Sequence, residues 1–292
     1  MALTLTIIPN AKPQPTLNDY DFFYILFKQE SRKYFDLKGN RISENLRMSK
    51  IQTLVYCDLE ATGLKNCGRP RITELSLVAV NTESILDLNK MLISHPQKYR
   101  NKVECLFPRV INKLTLCVYP MATIRPEVSV ITGLDNYNLS GQATFDRNTG
   151  ELLNSFLDRL PAPLCLIAHN GDLYDFPLLK SELEKAGMNL PLNTLCADSY
   201  IGIKEIFKNG EGTQHLKNNM DFIHLGCPTS YSLINLHKLL LGSTPTQSHG
   251  AEADCLTLIR TTAAFGNTWV EWVQENCYQF SRCAKMWSFR TL

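Results

Sequence analysis

The sequence predicts an α/β fold: a mixed central sheet flanked by helices in one domain. Three short β-branched and aromatic runs come first, and segments of helical periodicity interleave with further apolar runs after them. At 292 residues the chain is long enough for one sizeable core and short of two ordinary domains. Thr53 to Leu59 (TLVYCDL) is the first predicted strand, buried and ending in acids. Thr73 to Asn81 (TELSLVAVN) alternates between polar flanks, and Asn112 to Tyr119 (NKLTLCVY) alternates until Pro120 stops it. Glu127 to Leu134 reads as a short helix closed near Gly133, and Leu152 to Leu160 as a helix ended by Pro161. Leu164 to Ala168 (LCLIA) is a fourth, buried strand, Phe176 to Ala186 a helix stopped at Gly187, and Leu195 to Ala197 a last short strand. Ser230 to Leu241 and Ala251 to Phe265 carry i, i+3, i+4 apolar spacing and are predicted helices. The aperiodic polar stretch 208–229 is a loop of a length that in compact domains is usually functional or disordered.

The domain is expected over residues 51–276, with an N-terminal extension at 1–50 and a C-terminal tail at 277–292. Pro9, Pro13 and Pro15 break the start of the extension, and a helix near Asp21 to Phe35 would lack caps. The extension carries eight Lys or Arg against five Asp or Glu.

Composition narrows the function classes. Lys plus Arg is 30 and Asp plus Glu 28, a formal net charge of +2. A histone-like binder, whose grip comes from a large basic excess, is excluded, so any hold on a polyanion is local. Apolar runs such as Phe22 to Phe27 fall far short of a membrane span, and no basic segment precedes an apolar stretch at the N-terminus. The ten cysteines are scattered without a CxxC pair, which predicts reduced thiols in a cytoplasmic or nuclear protein, neither secreted nor membrane-anchored.

Three places concentrate carboxylates. Asp58-Leu59-Glu60 ends the first strand, where a period of two puts both acids on one side and Leu59 on the other. His169 to Phe176 (HNGDLYDF) follows the fourth strand and leads into a helix, and His249 to Asp254 (HGAEAD) opens another. Each has a plain reading: a solvated strand end, a capping Asp175, a first-turn Asp254 favoured by the helix dipole, a surface His249. If Asp58, Glu60, Asp175 and Asp254 converge, they require a counter-charge, since two like charges about 5 Å apart repel by roughly 3 kcal/mol at an effective dielectric near 20. Two divalent cations supply it, and oxygen ligands favour Mg²⁺ or Mn²⁺ over Zn²⁺. Paired metals of this kind serve in-line attack on phosphodiesters, and a neutral His249 could take the proton of the attacking water.

Read together, DLEATGL (Asp58 to Leu64), HNGDLYDFPLL (His169 to Leu179) and HGAEAD resemble the three motifs of DEDDh 3′→5′ exonucleases. In the second motif Asn170, Tyr174 and Asp175 match, so Asp175 rather than Asp172 is the expected ligand. Within that group the chain is most similar to the three-prime repair exonucleases, through DLEATGL, NKLTLCVYP, ITGL at Ile131 to Leu134, AHNGDLYDFPLL and SYSL at Ser230. The resemblance spans about Ile51 to Phe265 and implies an RNase H-like sheet, removal of nucleotides from DNA 3′ ends as nucleoside 5′-monophosphates, and two Mg²⁺ ions that Mn²⁺ could replace. It implies that Asp58, Glu60 and Asp254 hold one metal, that Asp58 bridges to a second supported by Asp175, and that His249 is the general base. Glu60, Ala61, Leu64, Ile131, Tyr174, Ser230, Tyr231 and His249 would contact substrate, Leu64 and Ile131 as wedges against the terminal bases. From composition alone Leu64 and Ile131 could equally be core, and Tyr231 could pack under a helix.

The family also implies a homodimer through an edge strand matching 112–119, and roles in DNA repair or degradation. Two departures stand out: Leu173 and Pro228-Thr229 occupy positions where vertebrate members typically carry basic residues. Duplex grip would then be weaker or pass to the 208–229 stretch, with Lys204, Lys208, His215 and Lys217 nearby. The rival readings are an exoribonuclease of the same chemistry and a non-catalytic nucleic-acid-binding adaptor.

Overall fold

The computed structural model describes residues 50–64, 68–94, 106–210, 228–245 and 249–287, all within one unit, residues 49–292. Six strands form one sheet: β1 (Thr53–Ala61), β2 (Ile72–Asn81), β3 (Asn112–Cys117), β4 (Leu164–Ala168), β5 (Leu195–Asp198) and β6 (Tyr278–Gln279), in the order β3-β2-β1-β4-β5-β6. β1 runs antiparallel to β2 and parallel to β4, and β4 is parallel to β5. The helices are α1 (Thr82–Ser94), α2 (Pro126–Thr132), α3 (Arg147–Asp158), α4 (Asp175–Lys185), α5 (Ser199–Lys208), α6 (Leu233–Leu241), α7 (Ala251–Ala263) and α8 (Asn267–Asn276).

β1 reads as a nearly continuous apolar run because both of its faces are covered. Leu54 and Tyr56 join Val78 and Val80 in a core packed by α1, α5, α6, α7 and α8. Val55, Cys57 and Leu59 point the other way, into a core packed by α3 and α4. The even-numbered face of β1 therefore runs from Leu54 and Tyr56 to Asp58 and Glu60, under the layer that contains α7. Past Glu60 the pairing with β2 shifts register, and the strand ends at Ala61. The acids thus lie where β1 leaves the sheet beside the parallel strand β4, the end at which open α/β sheets bind ligands.

The predicted strands and five predicted helices are present with small boundary shifts. α6 starts at Leu233 rather than Ser230, which leaves Ser230 in the preceding loop. Three helices and one strand were not expected. α1 and α5 follow β2 and β5 directly, without the Gly or Pro punctuation that marks a boundary; Asp198 both ends β5 and accepts the Tyr200 N–H at 2.8 Å as the N-cap of α5. α8 buries only Trp269 and Val273, too thin a stripe to read as periodic. The segment from 277, expected as a tail, is built into the fold as far as it is described. β6 pairs with β5 through Leu195↔Gln279 and Cys196↔Tyr278. The Met286 and Trp287 N–H groups donate to Ser181 Oγ on α4 at 2.9 and 3.2 Å, and both side chains are buried. The expected helix over 21–35 and nearly all of the 208–229 stretch lie outside the described residues.

α4 carries Asp175 at its start and is locked to the sheet by a buried ion pair. Arg71, just ahead of β2, donates to both carboxylate oxygens of Glu182, at 2.5 Å from Nε and 2.9 Å from the guanidinium Nη2. Glu182 is fully buried. Removing one partner of such a pair leaves an uncompensated charge and costs about 3–5 kcal/mol. Glu182→Ala is therefore expected to lower the melting temperature by about 10 °C, given roughly 2–4 °C per kcal/mol for a domain of this size; an unchanged value in a thermal scan would show that α4 is anchored elsewhere.

Candidate active site

Asp58 and Glu60 flank the buried Leu59 on the face covered by α7, and α7 brings Asp254 to them. The three residues offer carboxylate oxygens that all lie within 4.8 Å of one another. No Lys or Arg forms an ion pair with any of them among the described residues. The consequence is electrostatic. Burial, then Asp175, Asp254, Glu60 and Glu74, push the Asp58 carboxyl well above the usual carboxylate range. Burial, then Asp254 and Glu74, raise Glu60 to about 7, and burial raises Asp254. An all-oxygen cluster lacking a cationic side chain fits a hard divalent cation such as Mg²⁺ or Mn²⁺.

Asp175 lies outside that trio but within its field. It is buried at the first position of α4, and burial followed by Asp198 and Glu60 pushes its carboxyl up to about 8. The turn that aims it is tightly fixed. Asn170 is left-handed at φ 65°, and a Cβ at Gly171 would stand 2.7 Å from Ala168 Cβ and 2.8 Å from the Phe176 ring, so only glycine fits there. Phe176 N–H donates to Gly171 C=O at 2.9 Å. Tyr174 O–H donates to Gly63 C=O at 2.6 Å, tying this turn to the loop after β1. Asp172 accepts from the Tyr278 hydroxyl.

His249 stands just ahead of α7, exposed and left-handed at φ 64°. Its N–H donates to Asp254 Oδ2 at 3.2 Å, so residue and acid are held in one short loop. Of the other expected contacts, Leu64 and Ile131 are 64% and 55% exposed, which removes the core alternative for both. Ala61 is buried and Ser230 half-buried. Tyr231 is half-buried and packs against the core: its ring meets Tyr200 and Phe207 edge-on, with centroids 6.0 and 6.2 Å away. Its carbonyl accepts from His169 Nε2 at 2.8 Å.

No family model matches the chain. It is 37% identical to three-prime repair exonuclease 1 of Bos taurus over 252 residues, covering 85% of this chain and 75% of that protein. It is 33% identical to three prime repair exonuclease 2 of Mus musculus over 243 residues, 82% of this chain and 94% of that one. The chain belongs to the three-prime repair exonuclease family. It is a 3′→5′ exonuclease, a hydrolase acting on nucleic acid. Among solved structures, the nuclease domain of 3′hExo, a DEDDh family member bound to rAMP, matches with a TM-score of 0.51 at 14% identity, over 79% of this chain and 96% of that one. The mixed six-stranded sheet flanked by helices is accordingly the DEDDh exonuclease fold, in a single domain.

In this three-prime repair exonuclease, three residues that sequence reasoning passed over support the site. Asp198 is buried and accepts the N–H groups of Asn170 and Asp172 at 3.0 and 3.1 Å, which fixes the turn before Asp175. His169 bridges Ser199 Oγ at 3.0 Å and the Tyr231 carbonyl, joining that turn to the Ser230 loop. Glu74 lies opposite Glu60 in the β1–β2 register. Asp198 and Glu74 had no local signal beyond being acids at strand positions; His169 opened a motif whose pattern starts at Asn170.

The raised carboxyls set a pH dependence. Above about pH 4 the unfolded chain has released these protons, whereas the metal-free fold keeps them on Glu60 and Asp175 until about pH 7 and 8. The folded state binds more protons across that window, so its stability falls as pH rises. In EDTA the melting temperature is expected to drop by about 10 °C or more between pH 5.5 and 8, and excess Mg²⁺ is expected to restore it at pH 8. A flat profile in EDTA would mean these acids are already compensated.

Proposed function

We propose that this exonuclease is a metal-dependent 3′→5′ exodeoxyribonuclease that works with two divalent ions, Mg²⁺ with Mn²⁺ as a substitute, and releases nucleoside 5′-monophosphates from single-stranded or frayed ends. The convergence of Asp58, Glu60 and Asp254 within 4.8 Å, with Asp175 beside Asp58, carries the reading. Asp58, Glu60 and Asp254 would hold one ion, and Asp58 with Asp175 the other. Bound there, the ions supply Lewis-acid stabilisation of the phosphodiester's developing charge. His249 is the general base: exposed at the mouth and fixed to Asp254 through its N–H, it accepts a proton from the attacking water. The water oxygen bonds to phosphorus as the bond to the 3′-oxygen breaks; that oxygen takes a proton from solvent to become the new 3′-hydroxyl, and His249 returns its proton to solvent.

Support for open ends comes from the rim. Leu64 sits in the turn that Tyr174 holds at Gly63, and this turn lies against Arg125, at the start of α2. α2 buries none of its residues and shows Val130 and Ile131 to solvent. Apolar side chains of this kind stack on any terminal base and favour unpaired strands. DNA as the substrate is consistent with the repair named in its relatives and with a role in DNA repair or degradation. No helix among the described residues is long and apolar enough to cross a membrane, and the seven described cysteines are free thiols, which agrees with a cytoplasmic or nuclear site of action.

The test is one oligonucleotide sequence, made as DNA and as RNA and labelled at its 5′ end, incubated with Mg²⁺ beside an Asp254→Asn variant. A descending ladder on DNA, lost in the variant and in EDTA, is expected. A ladder mainly on RNA would transfer the same chemistry to an exoribonuclease, and binding without cleavage would make the chain an adaptor. β3 is the end strand of the sheet, paired with β2 alone among the described residues, and a two-fold pairing of this edge would give the homodimer. Sedimentation at micromolar concentration is expected to return twice the chain mass; a monomer would remove the dimer.

A further inference from the structure

Glu74 is the acid at the site with no part in the chemistry. It projects from β2 onto the face of Asp58 and Glu60, directly opposite Glu60. Like charges facing each other across an antiparallel pair are unfavourable, and Glu74 adds to the field that raises Asp58, Glu60 and Asp254. A carboxylate kept there needs a compensating contact, and it has one. Glu74 Oε2 accepts the backbone N–H of Ala251 at 2.8 Å. Ala251 is the first residue of α7, so this is one of the donors that a helix start leaves without an internal partner, at the positive end of the helix dipole.

The residues around that bond are the ones the site depends on. Gly250, the N-cap residue, has no side chain to cap the helix. His249 is two residues before Ala251 and Asp254 three after it. A second tie lies alongside: Glu252 accepts from Lys113 Nζ at 2.7 Å and from Thr115 Oγ1 at 3.0 Å, both on β3. The first turn of α7 is thus docked on the sheet through side chains 137 to 177 residues away in sequence.

We propose that Glu74 is a positioning residue, which holds the first turn of α7 on β2 through the Ala251 N–H and so sets where Asp254 and His249 stand. Its role is the hydrogen bond and its reach, not its charge, and it lies outside the trio of converging oxygens. The inference rests on the reading of Asp254 as a metal ligand and His249 as the base.

Three variants of the full chain separate the possibilities, read by Mn²⁺ binding in calorimetry, by hydrogen exchange at the Ala251 amide, and by kcat and KM on single-stranded DNA. Glu74→Gln keeps an oxygen acceptor of the same reach and is expected to bind Mn²⁺ within twofold of the unaltered protein. Glu74→Asp keeps the charge but falls one methylene short, and Glu74→Ala loses both. These two are expected to weaken Mn²⁺ binding and lower kcat about tenfold, the scale of supporting contacts to metal ligands, with KM little changed and faster exchange at Ala251. If Gln is as damaging as Ala while Asp is tolerated, the charge matters and the proposal is overturned. It is equally overturned if Asp and Ala lower the melting temperature but leave Mn²⁺ binding within twofold. Should Ala fail to fold, the Gln and Asp pair decides. An unaltered protein that exchanges normally at Ala251 but binds no Mn²⁺ would instead sink the metal reading, and faster exchange in Glu74→Asp would then still test the tether.

Discussion

Mutual repulsion among carboxylates at the end of β1 is the constraint around which the molecule is arranged. Asp58, Glu60 and Asp254 present oxygens within 4.8 Å of one another, and at such a separation each like-charged pair costs a few kcal/mol even at an effective dielectric near 20. The fold cannot relieve this by moving the acids apart. β1 is buried on both faces, so Asp58 and Glu60 are fixed by Tyr56 and Leu59 as much as by their own surroundings. The protein keeps the repulsion and the carboxyls rise; a divalent cation would relieve it with two charges at one point, where a proton supplies one.

The supports around the site are chosen accordingly. Backbone N–H groups, rather than lysines or arginines, are the partners of the acids behind it. Asp198 takes N–H bonds from Asn170, Asp172 and Tyr200, Asp254 takes one from His249, and Glu74 one from Ala251. Peptide dipoles hold a carboxylate in place without bringing a full positive charge that would compete with a metal. Glu182 of the buried Arg71–Glu182 pair lies on α4 two turns beyond Asp175, about 10 Å along the axis. There it anchors the helix while its charge is matched locally. Rigidity and electrostatics are thereby separated: the ion pair fixes the scaffold, and neutral hydrogen bonds fix the acids.

How far the fold could be read depended on whether a signal was local. β1 announced itself by a β-branched and aromatic run, β2 by alternation, β4 by a short apolar run, and α7 by its apolar spacing. α1 and α5 were missed because they begin on the residue after a strand, where no Gly or Pro marks the change. β6 was missed for the opposite reason. Two residues make it a strand, and only Leu195 and Cys196, more than eighty positions earlier, give it a partner. The segment to Trp287 likewise has no pattern of its own; Ser181 on α4 holds it.

The sequence by itself determined the chemistry, since DLE, HNGDLYDF and HGAEAD set the residue types and spacings within single turns or strand ends. The same acids in a strand or a helix start look alike to their neighbours whether they end in water or in a core. Tertiary structure alone decided that Asp254 meets Asp58 and Glu60, that Asp175 stands apart beside Asp58, and that Tyr231 packs its ring against the core. It also decided that two unremarked acids, Asp198 and Glu74, hold the segments on which the site is built. Those outcomes rest on contacts between residues from 24 positions apart, Phe207 and Tyr231, to 196 apart, Asp58 and Asp254, and burial and Coulomb energy depend on distance in space, which a one-dimensional pattern does not carry.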